Sequence, residues 1–170
     1  IDALRLRATS SLLQNRCTII VASVSCIYGL GSPDEYAKLT VTLTLGEIIP
    51  RKELIKKLIN IQYERDDSIL AKGKIRIRGD ILDIFPPYSE YCIRIEMFGD
   101  TIENIYYLHP INLNIINKTD KAIIYPSKHF VTSKPNLEKA IVKIKQELTE
   151  REKYFRRENK LLERERIISR

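Results

Sequence analysis

Arginine and glutamate recur at two-residue spacing in two alternating segments, Lys74-Ile-Arg-Ile-Arg78 and Cys92-Ile-Arg-Ile-Glu-Met-Phe98. Residues two apart on a strand face the same side, so Arg76 with Arg78, and Arg94 with Glu96, each project from one face. Guanidinium groups gathered on one face suit forked pairing with the carboxylates or phosphates of a partner. A solvated sheet face is the competing reading, although such a face more often carries Lys and Thr. The second chemically suggestive stretch is the polar run from Ala22 to Pro33, which contains Ser23, Ser25 and Ser32. Its hydroxyls and backbone amides suit close approach to phosphate oxygens, and a capped α/β turn explains them equally well.

No complete catalytic constellation accompanies these features. There is no glycine-rich loop ending in Gly-Lys-Ser/Thr and no HExxH, and His109 and His129 have no ligand at metal spacing, so each is read as a surface or turn residue. Cys26 occupies a loop where a nucleophile could sit. No neighbouring His or Asp would lower its pKa, so a catalytic thiol is not expected. Cys17, Cys26 and Cys92 are odd in number and lack CxxC spacing. They support neither a disulfide framework nor a zinc site, and read as buried free thiols.

The 170 residues carry a net charge of +7. Twelve Lys/Arg and seven Glu fall between Lys134 and Arg170, so the excess basicity belongs to the C-terminal segment. A solvated helix with i,i+4 ion pairs accounts for this more simply than a DNA-binding face. The N-terminal residues show no charged leader followed by an apolar run and cleavage site, and no stretch approaches the ~18 apolar residues of a membrane span. A soluble, cytoplasmic protein is therefore expected.

The elements that must position these residues follow from periodicity. Residues 3 to 15 suit a helix, with Asn15 as its stop. The unbroken apolar run Cys17 to Ser23 reads as a buried parallel strand, followed by a loop with Gly29 and Gly31 and a helix start at Ser32-Pro33-Asp34-Glu35. Thr40 to Leu45 alternates as a half-buried strand, and Arg51 to Asn60 places Leu54, Ile55, Leu58 and Ile59 on one helical face. Alternation at 74–78, 81–85, 92–98, 101–108 and 121–125 predicts an antiparallel meander, with Gly79-Asp80 and Gly99-Asp100 as tight turns. After Pro126, with Ser133 as cap, Leu137, Ile141, Ile144 and Leu148 form a narrow apolar seam that Phe155 and Leu162 continue at sevens. The expected fold is α+β: an antiparallel β-meander domain with short helices, flanked by an N-terminal strand-loop-helix piece and a long charged C-terminal helix.

The runs VASVSCIYGLGSPDEY, LINIQYERDD, KIRIRGDILDIFP, CIRIEMFGDTIENI, YPSKHFVT and KIKQEL resemble the UvrB family of bacterial nucleotide excision repair, in order and spacing across essentially the whole chain. The resemblance implies a parent that is a helicase-like ATPase using ATP and Mg. UvrA loads that parent onto damaged DNA, and it then recruits UvrC. Residues 1–36 would end the first helicase lobe, 37–126 would form the UvrA-interaction domain, and 127–170 would begin a helical subdomain. The phosphate-binding loop would lie upstream and the acidic Walker motif downstream, so this segment is expected to hold no catalytic residue, metal or cofactor and to hydrolyse no ATP. The resemblance also assigns UvrA contacts to Arg65, Arg76, Arg78, Arg94 and Glu96, and DNA-strand contacts to Ser23 and Ser25. The related module of a transcription-repair coupling factor and a free basic DNA-binding domain are the alternatives.

Overall fold

The alternating stretch from Lys74 onward folds into strands, two pairs of them closed by the tight turns at Gly79-Asp80 and Gly99-Asp100. The computed structural model describes residues 2–14, 17–26, 33–129 and 134–169, and the chain divides into two units, Ile1–Val131 and Thr132–Arg170. The first unit contains α1 (Asp2–Gln14), a single 3-10 turn (Val24–Cys26), α2 (Pro33–Lys38), β1 (Val41–Thr44), α3 (Arg51–Asn60), β2 (Glu64–Arg65), β3 (Lys74–Arg78), β4 (Ile81–Phe85), β5 (Cys92–Phe98), β6 (Thr101–Leu108), β7 (Ile115–Thr119) and β8 (Lys121–Ile124). The second contains α4 (Lys134–Arg157) and α5 (Leu161–Ile168). The architecture is α+β with an antiparallel meander, as expected.

Strands β2 to β7 form one sheet in chain order. Only the short β2–β3 pair is parallel; the other pairs are antiparallel. Gly79 and Gly99 supply φ values of +59° and +60° at the two predicted turns, where an L side chain is strained. Strand β8 continues the alternation of the meander yet leaves its sheet and pairs with β1, Val41 opposite Ile124 and Leu43 opposite Ala122. That pairing turns all four side chains into the core.

The core lies on one face of the six-stranded sheet. Ile75, Leu82, Ile84, Ile93, Ile95 and Ile105 meet Leu54 and Leu58 of α3 and the apolar residues of β1 and β8. Helix α3 buries Leu54 and Leu58 and half-buries Ile55 of the predicted face, but Ile59, expected on that face, lies at its margin and is exposed; Glu53 and Lys57 stay outside as an i,i+4 pair at 3.3 Å. It ends in a Schellman turn: Tyr63 N–H donates to the Leu58 carbonyl at 3.1 Å and Gln62 N–H to that of Ile59 at 2.9 Å. Gln62 takes the left-handed conformation, φ +71°. A second cluster, Leu6, Tyr36 and Tyr125 with Tyr88 and Ile123, holds α1 and α2 against the end of this body.

The expected parallel strand at Cys17–Ser23 does not form. The segment is irregular, with Ile19 91% and Val21 96% exposed. A parallel strand needs hydrogen-bonded neighbours, and no described strand pairs with this segment. The expected loop glycines Gly29 and Gly31, the capping Ser32 and Ser133, and the stop at Asn15 fall outside the described residues.

In the second unit the predicted helix is interrupted, so Leu162 does not continue the seam. Asn159 adopts φ +55°, Lys160 N–H donates to the Phe155 carbonyl at 2.9 Å and Asn159 N–H to that of Arg156 at 3.3 Å. This is again a Schellman stop, which asparagine tolerates. Helix α5 then folds back beside α4, tied by Arg164 to Glu152 at 2.6 Å. Leu137, Ile141, Ile144 and Leu148 are exposed. No described helix is long and apolar enough to cross a membrane.

Candidate protein-interaction face

Cross-strand partners share a face of a sheet, so strand register decides which side chains meet. Asp83 on β4 lies opposite Arg76 on β3 and opposite Arg94 on β5. Arg94 lies opposite Tyr106, and Tyr106 opposite Lys118. One polar row therefore crosses five strands on the face turned away from the core. The neighbouring row on that face is Arg78, Ile81, Glu96 and Asn104.

Asp83 is the centre of the first row. Its side chain is 2% exposed and accepts from Arg76 Nη2 at 2.7 Å, and from Arg94 Nε at 2.7 Å and Nη2 at 3.1 Å. These are charge-assisted hydrogen bonds, and the Arg94 pair is a fork. Hydrogen bonding of its guanidinium to the Asp83 carboxylate is the main cause that raises the Arg94 pKa, against the opposing effect of burial. Cys92, on the same face, has its thiol pushed up to about 11 by burial and then by Asp83, so it is inert. Arg76 Nε is buried without a hydrogen-bond partner. An unsatisfied buried donor costs about 1–3 kcal/mol, so the triad is held at an energetic cost. Glu96 accepts from Asn104 Nδ2 at 3.0 Å, and Lys118 Nζ stands 5.9 Å from the centre of the Tyr106 ring, within cation–π range.

The structure brings Arg76, Arg78, Arg94 and Glu96 onto one face, as strand parity predicts. It differs in exposure and in the position of Arg65. Arg76 was expected to project into solvent, but its side chain is only 8% exposed because Asp83 and the flanking strands enclose it. Arg78 is exposed beside the turn, and Arg94 is 21% exposed. Arg65 pairs in register with Ile75, a core-facing residue, so it leaves the opposite side of the sheet at its edge. There it lines a shallow notch with Arg51, Lys52, Ile55 and Ile77 and makes a forked pair with Asp67 at 2.7 and 3.0 Å. That pairing raises the Arg65 pKa and lowers that of Asp67.

Ser23 and Ser25 are exposed in and beside the 3-10 turn, their hydroxyls 2.7 Å apart. Among the described residues no group of three or more His, Cys, Asp and Glu is arranged to hold a metal ion. The three free thiols were expected to be buried, but only Cys92 is: Cys17 is exposed and Cys26 half-buried, because the segment that carries them is irregular and outside the core. His129 is half-buried against Tyr36, ring centres 6.4 Å apart, with Nε2 buried and unpartnered. Burial, then the charge of Arg5, lowers its pKa.

Sequence reasoning missed Asp83. Its signal was a carboxylate inside the otherwise apolar strand Ile-Leu-Asp-Ile-Phe. Across the two-residue turn Gly79-Asp80, counting alone pairs Arg78 with Ile81 and hence Arg76 with Asp83.

The comparisons with known proteins agree with one another. A model described as the UvrB interaction domain matches residues 41–130, more than half of the chain, and one described as the UvrB third helical domain matches residues 135–170. The chain is 48% identical over 170 residues to the UvrABC system protein B of Leptospira biflexa serovar Patoc, and 46% identical over 170 residues to that of Tropheryma whipplei. It is 48% identical over 171 residues to that of Listeria innocua serovar 6a. Each match covers 100% of this chain but 26%, 25% and 26% of the relative, so the chain spans about a quarter of their length.

Proposed function

The chain belongs to the UvrB family of DNA-repair proteins, and from that premise we propose that residues 37–126 dock the repair subunit onto UvrA. Residues 1–36 complete the first helicase lobe and residues 127–170 open the helical subdomain. The docking face comprises Arg76, Arg78, Arg94 and Glu96, with Arg65 as a contact around the sheet edge. ATP and Mg, damaged DNA and UvrC are engaged by the longer parent in the cytoplasm. Ser23 and Ser25 contribute to its DNA groove, and the segment itself turns over no ATP.

The observation that carries this reading is the polar row through Arg76, Asp83, Arg94, Tyr106 and Lys118, built on the sheet face that the core leaves unused. Five cations, Lys74, Arg76, Arg78, Arg94 and Lys118, share that face with the carboxylates Asp83 and Glu96, so it favours an acidic partner surface. Partly desolvated arginine with an aromatic neighbour is characteristic of protein interfaces. Calorimetric titration of the chain with UvrA tests the proposal. Arg94→Ala is expected to weaken binding at least about tenfold, roughly 1.4 kcal/mol. Unchanged affinity would place the docking surface elsewhere.

A further inference from the structure

The three charged residues of the polar row are not equivalent. Asp83 is 2% exposed and the Arg76 side chain 8%, whereas Arg94 is 21% exposed. Asp83 holds Arg94 by its side edge, through Nε and Nη2. A guanidinium has five N–H donors, and this grip occupies two, leaving the end-on Nη1/Nη2 fork of Arg94 without a described partner. Arg76 reaches the Asp83 oxygen that Arg94 Nη2 also uses, and its own Nε is enclosed by protein, out of reach of any ligand. The arrangement is a brace: Arg76 fixes Asp83, and Asp83 fixes the plane of Arg94.

We propose that Asp83 and Arg76 are positioning residues, and that Arg94 alone of the three meets the partner, through its end-on fork to a partner carboxylate. This rests on the reading of the face as the UvrA-docking surface, and assigns different roles within it. Holding a guanidinium plane before encounter removes rotamer freedom that binding would otherwise have to remove. The gain resides in the lifetime of the complex. Asp83 itself is an anion behind the contact, so neutralising it adds positive charge to the face and does not slow encounter with an acidic surface.

The test is a kinetic double-mutant cycle with the 170-residue chain and immobilised UvrA. Asp83→Asn is expected to raise the dissociation rate about tenfold, with the association rate unchanged or faster. Arg94→Ala is expected to raise it at least as much. In the Arg94→Ala background, Asp83→Asn should change the dissociation rate less than twofold, because its effect passes through the missing side chain. A merely structural defect would lower the fraction of binding-competent protein and leave the dissociation rate of that fraction unaltered. Should Asp83→Asn fail to fold, Asp83→Glu keeps the charge while displacing the carboxylate, and the same cycle is expected. Additive effects, or a normal dissociation rate for the Asp83 variant beside a fast one for Arg94→Ala, overturn the positioning role. An Arg94→Ala chain that binds UvrA normally removes the docking face itself, and the brace with it.

Discussion

Asp83 and Arg94 face one another across β4 and β5, joined by a forked pair of hydrogen bonds of 2.7 and 3.1 Å, with the carboxylate side chain only 2% exposed. Burial of this depth makes the pair matter to folding as well as to recognition. Removing one partner of a buried ion pair leaves an uncompensated charge and costs about 3–5 kcal/mol.

The double variant Arg76→Ala with Arg94→Ala therefore carries two expected consequences. Binding to UvrA weakens at least about a hundredfold, roughly 2.7 kcal/mol. Urea denaturation should also show a loss of about 3 kcal/mol or more, since Asp83 retains neither cation. A denaturation midpoint equal to that of the parent chain would mean that the triad does not contribute to the fold.

Backbone conformation sets the sign of a second group of substitutions. Gln62 occupies the left-handed region at φ +71°, where Gly has no steric penalty, so Gln62→Gly should stabilise the chain by roughly 1 kcal/mol. Gly79→Ala and Gly73→Ala should both destabilise, and Gly73→Ala more. Its φ is +81° and a Cβ there would lie 2.9 Å from Ser127 Oγ, whereas one at Gly79 meets nothing within 4 Å. Thermal melting of the three variants gives the order, and a Gly79 variant less stable than the Gly73 one contradicts this account.

The docking of α1 should be sensitive to acid through His129. Burial, and secondarily the charge of Arg5, depresses its folded-state pKa below the ordinary 6.5, opposed by Asp2. The unfolded chain then binds the proton more readily, so stability is complete above the ordinary value and falls as pH descends through the folded one. The melting temperature should drop between pH 7.5 and pH 5.5 by more in the parent chain than in His129→Phe. Parallel pH profiles for the two proteins would exclude the histidine.

Leu58 is fully buried between α3 and the sheet. Leu58→Ala removes apolar burial and leaves a cavity, and should cost about 2–5 kcal/mol in chemical denaturation. Ile59→Ala on the adjoining, 47% exposed position of the same helix should cost well under half as much. Equal losses would show that α3 packs by a different face.

Much of this arrangement was legible in the chain itself, for local reasons. The spacing of Leu54 and Leu58 identified the buried face of α3, and Gly79-Asp80 identified a two-residue turn that pairs Arg76 with Asp83 by counting alone. Parity placed Arg94 and Glu96 together. These relationships depend on helical or strand periodicity and on turns too short to permit a second register.

What only the tertiary structure decided is how distant segments align. The connection Pro86–Tyr91 is too long to set the β4–β5 register, so the meeting of Asp83 with Arg94 is a choice made by the core, where Leu82 must face Ile95 and Ile84 must face Ile93. On β6, counting back from the Gly99-Asp100 turn would set Arg94 opposite Ile105. A bulge at Glu96/Met97 shifts the ladder by one, returning Ile105 to the core opposite Ile95 and bringing Tyr106 beside Arg94. The same dependence on distant partners explains Cys17–Ser23, whose apolar run promises burial that no described strand supplies. Periodicity states which side of an element is apolar; packing against remote elements determines what that side meets.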